Sequence, residues 1–166
     1  IEKLEKKLKF KISKNQKIIE YSPLTIEYLK KISKKINNKK GALLIIDYGY
    51  IAEEMKDTLI AIKKHSVTNV LDEVGKTDIT YHLNFKVLEK IIKNFKVKCQ
   101  GITTQRNFLI NLGIKERAEI ISKNLSFSKK ADIYYRLNRL INEKQMGNLF
   151  KVMLITDSKI NFKTGF

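Results

Sequence analysis

An open α/β sheet is the fold class this sequence predicts, and three observations predict it. Gly41 through Asp47 is a continuous apolar run, too short for a helix, of the kind found in strands covered on both faces. A stretch of helical period opened by Ser22-Pro23 comes before it, and the polar tip Asp47-Tyr48-Gly49 ends it. Helical and extended patterns then alternate along the chain, the order an α/β layer architecture requires. The 166 residues are 43% hydrophobic. A compact chain of this length buries about 70% of the surface its unfolded form exposes, so a sizeable core is feasible.

The elements follow in order. Leu8 to Ser13 alternates apolar and basic residues, Asn15-Gln16 supplies a turn, and Lys17 to Tyr21 resumes an extended pattern, which predicts a hairpin. Ser22 caps the first long helix, with Pro23 at its first position and Leu24, Ile26, Tyr28, Leu29, Ile32 and Ile36 on one stripe; Asn37-Asn38 and Gly41 stop it. The Gly41–Asp47 strand follows. Thr58 to Ile62 extends again, His65 to Gly75 forms a loop, and Asp78 to Leu83 is polar and mixed. Asn84 caps a helix through Phe95, with Phe85, Leu88, Ile91, Ile92 and Phe95 inward. Lys96 to Thr103 reads as a strand. Three helices, from Thr104 to Leu112, Ile114 to Lys123 and Ser128 to Asn142, precede a turn at Gln145-Met146-Gly147 and a last strand, Leu149 to Thr156. The tail from Asp157 is expected to fray.

Composition excludes several classes. The apolar runs fall short of the roughly 20 residues a membrane span needs. The first ten residues are basic and amphipathic rather than an apolar signal block. A single cysteine, Cys99, excludes an internal disulfide and a multi-cysteine metal site. The net charge is +17, but it comes from 30 lysines and only 4 arginines, and it is spread as +9, +1 and +7 over residues 1–40, 41–100 and 101–166. Phosphate and base recognition favours the planar arginine fork. Lys, Ile and Asn, all with AT-rich codons, dominate, so the charge reads as a solvated surface from an AT-rich bacterial genome rather than as a nucleic-acid interface.

The motifs that carry chemistry are sparse. The seven glycines lie at 41, 49, 75, 101, 113, 147 and 165, no two closer than eight residues, so there is no glycine-rich cradle for a nucleotide or dinucleotide. His65 and His82 are 17 apart and Cys99 is remote, which argues against a metal centre. The serines lack a nucleophile-elbow context. Asp47-Tyr48-Gly49 and Asp78-Ile79-Thr80-Tyr81-His82 are left. Asp47 reads either as a turn-forming strand end or as a crevice residue, because strand tips of open sheets line ligand sites.

The order of motifs resembles the C-terminal half of the MidA family of S-adenosylmethionine-dependent methyltransferases. The matching pieces are Glu20-Tyr21-Ser22-Pro23; Gly41 through Gly49; Asp57-Thr58; His65 with Asp72 and Gly75; Asp78 through Phe85; Thr104-Gln105 with Phe108-Leu109 and Leu112-Gly113; and Met146-Gly147 with Leu149-Phe150-Lys151-Val152-Met153. The resemblance implies a single portion, residues 1–166, of a Rossmann-like class I methyltransferase sheet. Gly41–Asp47 would be its fifth strand, Lys96–Thr103 its sixth and Leu149–Thr156 its antiparallel seventh, with a helical insertion over about residues 104–142. The family's glycine-rich loop, acidic ribose-binding strand end and strand-four motif are not in this chain, which begins at Ile1 and is taken as a piece of something longer. Asn84 stands where the family pattern has an acid.

By this resemblance the cofactor is S-adenosylmethionine, no cofactor-binding residues are assigned, and the substrate is a protein arginine, with mitochondrial members known as complex I assembly factors. Asp47, Tyr48, Asp78 and His82 are the implied catalytic residues and Thr80 and Gln105 the implied substrate contacts. Implied partners are a protein such as a complex I subunit, the missing N-terminal half or a second copy. A cytoplasmic place is expected. Two functions stay open: the C-terminal part of a protein arginine methyltransferase, inactive as an isolated fragment, or a non-catalytic remnant whose insertion helices dock a partner.

Overall fold

The structure is a computed structural model that describes residues 1–12, 16–64 and 66–166. The chain opens with a short helix, α1 (Glu2–Leu8), not a strand. Lysines and Leu4/Leu8 suit a helix with one apolar face, and the Glu5 carboxylate accepts the Ile12 N–H at 2.7 Å just beyond it. The expected hairpin therefore does not form: residues 9–12 and 16–22 carry no ladder, and the Asn15 turn lies outside the described residues.

Helix α2 (Pro23–Lys39) starts where the sequence predicts, the Ser22 hydroxyl accepting the Thr25 N–H at 3.2 Å. It runs through Asn37-Asn38 and closes on Lys40 in the left-handed conformation. Its buried stripe is Leu29, Ser33 and Ile36; Leu24 and Tyr28 lie outside it, 63% and 61% exposed.

Strand β1 (Ala42–Tyr50) extends three residues past Asp47. Gly49 is thus a strand residue, and its reason is close approach: a Cβ there would stand 2.3 Å from the Leu83 carbonyl oxygen. Next come three short strands, β2 (Ile60–Lys63), β3 (Ser66–Thr68) and β4 (Asp78–Thr80), which form a separate antiparallel sheet in the order β3-β2-β4. Strand β3 lies within the stretch expected to be a loop, and His65 is outside the described residues. β5 (Leu83–Asn84) leads into α3 (Phe85–Ile92). The Asn84 amide oxygen accepts the Lys86 and Val87 N–H groups, so Asn performs the capping that an acid would.

β6 (Val97–Thr104) is followed by α4 (Gln105–Asn111), α5 (Ile114–Ser122), α6 (Phe127–Ile141) and the single-turn α7 (Met146–Leu149), then β7 (Phe150–Asp157). The main sheet has the order β5-β1-β7-β6, with β7 antiparallel to both long neighbours and β5 parallel to β1. The antiparallel direction of β7 is the one expected of the last strand. Helices α2 and α3 cover one face, where Leu29, Ile36, Phe85, Leu88 and Ile92 close on Met153 and Ile155, with Leu43 and Ile45 against them. On the other face the tail does not fray: Phe166 sits over Gly101 and meets Phe108 at 5.2 Å between ring centres. The Gln100 side chain fixes it further, donating to the Ile160 carbonyl and accepting the Phe162 N–H.

β1 is not covered on both faces among the described residues. Leu44 and Ile46 point away from the core and are 45% and 47% exposed. Among the described residues its free edge meets only β5, at Gly49 and Tyr50. No described helix is long and apolar enough to cross a membrane.

Candidate active site at the carboxyl end of the main sheet

The carboxyl ends of β1 and β6 and the start of β7 meet at one end of the sheet: Asp47 lies opposite Lys151, Tyr48 opposite Phe150, and Thr104 opposite Lys151. Cross-strand partners share a face, so Asp47, Lys151 and Thr104 form one row and Tyr48 and Phe150 another. Asp47 is half-buried, and one carboxylate oxygen accepts the Tyr48 N–H at 2.8 Å. Burial holds the Lys151 ammonium below the ordinary lysine range, and this ammonium donates to the Asn148 carbonyl.

Tyr48 is the hub of the second row. Its hydroxyl bonds the Thr80 hydroxyl, and its ring stands edge-on to His82 at 5.5 Å and to Phe150 at 6.0 Å. This contact ties the small sheet to the main one. The chain continues inward: the His82 N–H donates to the Thr58 hydroxyl at 3.1 Å, and that hydroxyl donates to the Glu20 carboxylate at 2.8 Å. Five motif residues far apart in sequence thus form one connected cluster, Tyr48–Thr80, Tyr48–His82, His82–Thr58 and Thr58–Glu20.

The structure brings Thr80 and His82 against Tyr48, while Asp47, next to Tyr48 on β1, faces the other side of the sheet in the row with Lys151 and Thr104. Two of the expected residues lie away from both rows. Asp78 is exposed at the start of β4, opposite Ile62. Gln105 is buried, 6% exposed, and its amide donates to the Leu140 carbonyl at 2.9 Å, pinning α4 to the end of α6. Glu20, Thr58 and Lys151 were not singled out as site residues. Each sits in one of the family-like motifs, but only the fold shows that the Asp57-Thr58 and Glu20-Tyr21 pieces face each other.

Residues 1–103 match the model of a family of S-adenosyl-L-methionine-dependent methyltransferases. The mitochondrial protein arginine methyltransferase NDUFAF7 of Danio rerio is 32% identical over 130 residues, covering 78% of this chain and 30% of that protein. The Xenopus laevis protein of the same name is 29% identical, over 90% of this chain and 37% of its own length. The chain therefore spans about a third of the length of the curated relatives it matches. In structure it is similar to a COG1565 superfamily protein of Burkholderia thailandensis, at a TM-score of 0.77 and 22% identity over 88% of this chain and 40% of that one. It is also similar to a superfamily member from the same organism described as a methyl transferase bound to S-adenosyl-homocysteine, at a TM-score of 0.71 and 23% identity over 85% of this chain and 38% of that one. These likenesses carry the Rossmann-like fold. With more than half its residues matched by the family model, this chain belongs to the S-adenosyl-L-methionine-dependent methyltransferases.

Proposed function

We propose that this chain is the acceptor-binding side of a protein arginine methyltransferase, completed by a glycine-rich half that pairs with the free edge of β1. The observation that carries the reading is β1 itself: a strand with an apolar outer face and an open edge, bearing a half-buried carboxylate near its carboxyl end. Family membership and the names of the relatives supply the reaction class.

S-adenosylmethionine supplies an electrophilic methyl group. The residues present give it no cradle, since no two glycines of this chain are closer than eight residues, so no step through the cofactor is assigned to them. Their work is on the acceptor. A guanidinium is protonated at physiological pH and its nitrogen is a weak nucleophile. Carboxylates held in place can orient such a cation, and two half-buried ones are available, Asp47 on β1 and Glu20 in the Tyr48 cluster. Tyr48, held by Thr80 and packed on His82, walls the same end of the sheet. A complex I subunit as acceptor and a cytoplasmic setting are the finer proposals the family resemblance adds.

A second reading has its own observation. The insertion helices expose Ile120, Phe127 and Tyr135, at 69%, 88% and 65%, the material of a partner-docking surface without catalysis. Mixing the chain with a separately made glycine-rich half of a family member and following methyl transfer to an arginine peptide separates the two. The first reading expects transfer only from the mixture. No transfer from a mixture that does associate favours the second.

A further inference from the structure

A concavity opens at the Glu20 end of the cluster. A groove of about 530 Å³ runs between the start of α2, helix α3 and the segments around residues 55–59 and 81–84. That is the size range of small-ligand sites. Leu59, Leu83, Val87 and Ile91 give it an apolar wall. Glu20 is the one charged residue lining it among the described residues, in a chain with twice as many basic as acidic side chains.

Glu20 is also unusually placed for this surface. Among the described residues it has no lysine or arginine partner. One of its oxygens is held by the Thr58 hydroxyl, which is itself fixed by the His82 N–H. The carboxylate is half-buried and oriented, and no described lysine or arginine matches its charge. A half-buried anion without a counter-ion is costly unless a cation completes it.

We propose that this groove receives the side chain of the methyl-accepting residue, its apolar stem along Leu59, Leu83 and Val87 and its cationic head on Glu20. The inference rests on the arginine methyltransferase reading and names its acceptor subsite. An alkyl guanidinium fits on both counts: three methylenes suit an apolar wall, and a charged fork suits an oriented carboxylate. Segment 80–83 joins the subsite to the strand tip, since Thr80 bonds Tyr48 while Tyr81 and Leu83 line the groove. Glu20 is therefore a specificity-determining residue and Thr58 a positioning residue.

The test is binding, independent of methyl transfer. The 166-residue chain is titrated with N-acetyl-arginine amide and with its neutral isostere N-acetyl-citrulline amide, followed by amide shifts in the NMR spectrum. The proposal expects shifts at Tyr81, Leu83 and Val87, with the citrulline probe at least tenfold weaker. Glu20→Gln, whose amide oxygen can still accept from Thr58, brings the two probes within about twofold. Leu59→Ser, at the half-exposed mouth, weakens both probes by a similar factor. Equal binding of the two probes by the unaltered chain, or discrimination that survives Glu20→Gln, overturns it, as does saturating binding with shifts elsewhere. If these results hold and the completed pair transfers no methyl group, the reaction reading fails while the cation site stands.

Discussion

β1 and β7 lie side by side, paired from Ala42–Thr156 through Tyr48–Phe150, and in sequence each holds a continuous apolar run, Ala42–Ile46 and Val152–Ile155. Their surroundings differ. β7 is central: Val152 and Met153 are 0% exposed and Ile155 1%, with α2 and α3 on one side and the Phe108–Phe166 pair near Leu154 on the other. β1 has the same inner cover but, among the described residues, no outer one at Leu44 and Ile46, and a two-residue partner along its free edge. An apolar run records the environment a strand is built for. For β7 that environment is supplied by the described residues, and for β1 it is the proposed glycine-rich half that supplies it. Open edges of this kind are pairing templates.

The largest effect that sharpens the comparison is on stability. Met153→Ala opens a cavity in the covered face and is expected to cost about 3 kcal/mol, within the usual 2–5 for such truncations. Ile46→Ala, on the outer face of the same sheet, is expected to cost under about 1 kcal/mol in the chain alone. Urea midpoints of the two variants check this, and equal costs would erase the distinction between the strands.

The next effect is on catalysis at the tip of β1. Asp47→Asn is expected to lower methyl transfer by the completed enzyme roughly a hundredfold while leaving the melting temperature of the chain unchanged. Asparagine can accept the Tyr48 N–H equally well, so a purely local turn role would leave turnover intact. The third effect is on association. Ile46→Lys places a charge on the open face, and binding of the glycine-rich half should weaken tenfold or more with folding of the isolated chain preserved. Sedimentation of the mixture reads it.

The smallest effect concerns the covered face itself. Cys99 packs against the core, and burial, reinforced by the negative charge of Glu89, pushes its thiol up to about 11. Its alkylation rate should therefore rise about tenfold per pH unit from pH 8 and level off only near the raised value. A plateau by pH 9 would show that this face is open to water.

Much of this fold was legible because its signals are local. Ser22-Pro23, Asn84 and Thr104 each sit at a helix start and each side chain caps it, and the Gly41, Lys96 and Leu149 runs all became strands. What was not legible depended on contacts between distant segments. Leu8 to Ser13 alternates like a strand, but Leu8 is claimed by a lysine-rich helix that docks it beside Asn94, whose amide donates to the Leu8 carbonyl. The tail carries no periodic pattern, yet Gly101 leaves room for Phe166. Motif order points to Tyr48, Thr80 and His82, and the fold sets Thr80 and His82 against Tyr48. Gln105, in an equally strong motif, proved to hold α4 to α6, because motif order cannot separate a substrate contact from a helix clamp.

Hydrogen exchange of the β1 amides tests the central claim most directly. In the chain alone, the amides of residues 42–48 that are not bonded to β7 should exchange quickly, as an open edge requires. On adding the glycine-rich half they should slow by about a hundredfold or more, with α5 and α6 unchanged. Protection that appears instead over Ile120, Phe127 and Tyr135, with β1 exchanging as before, would contradict the account and move the partner to the insertion helices.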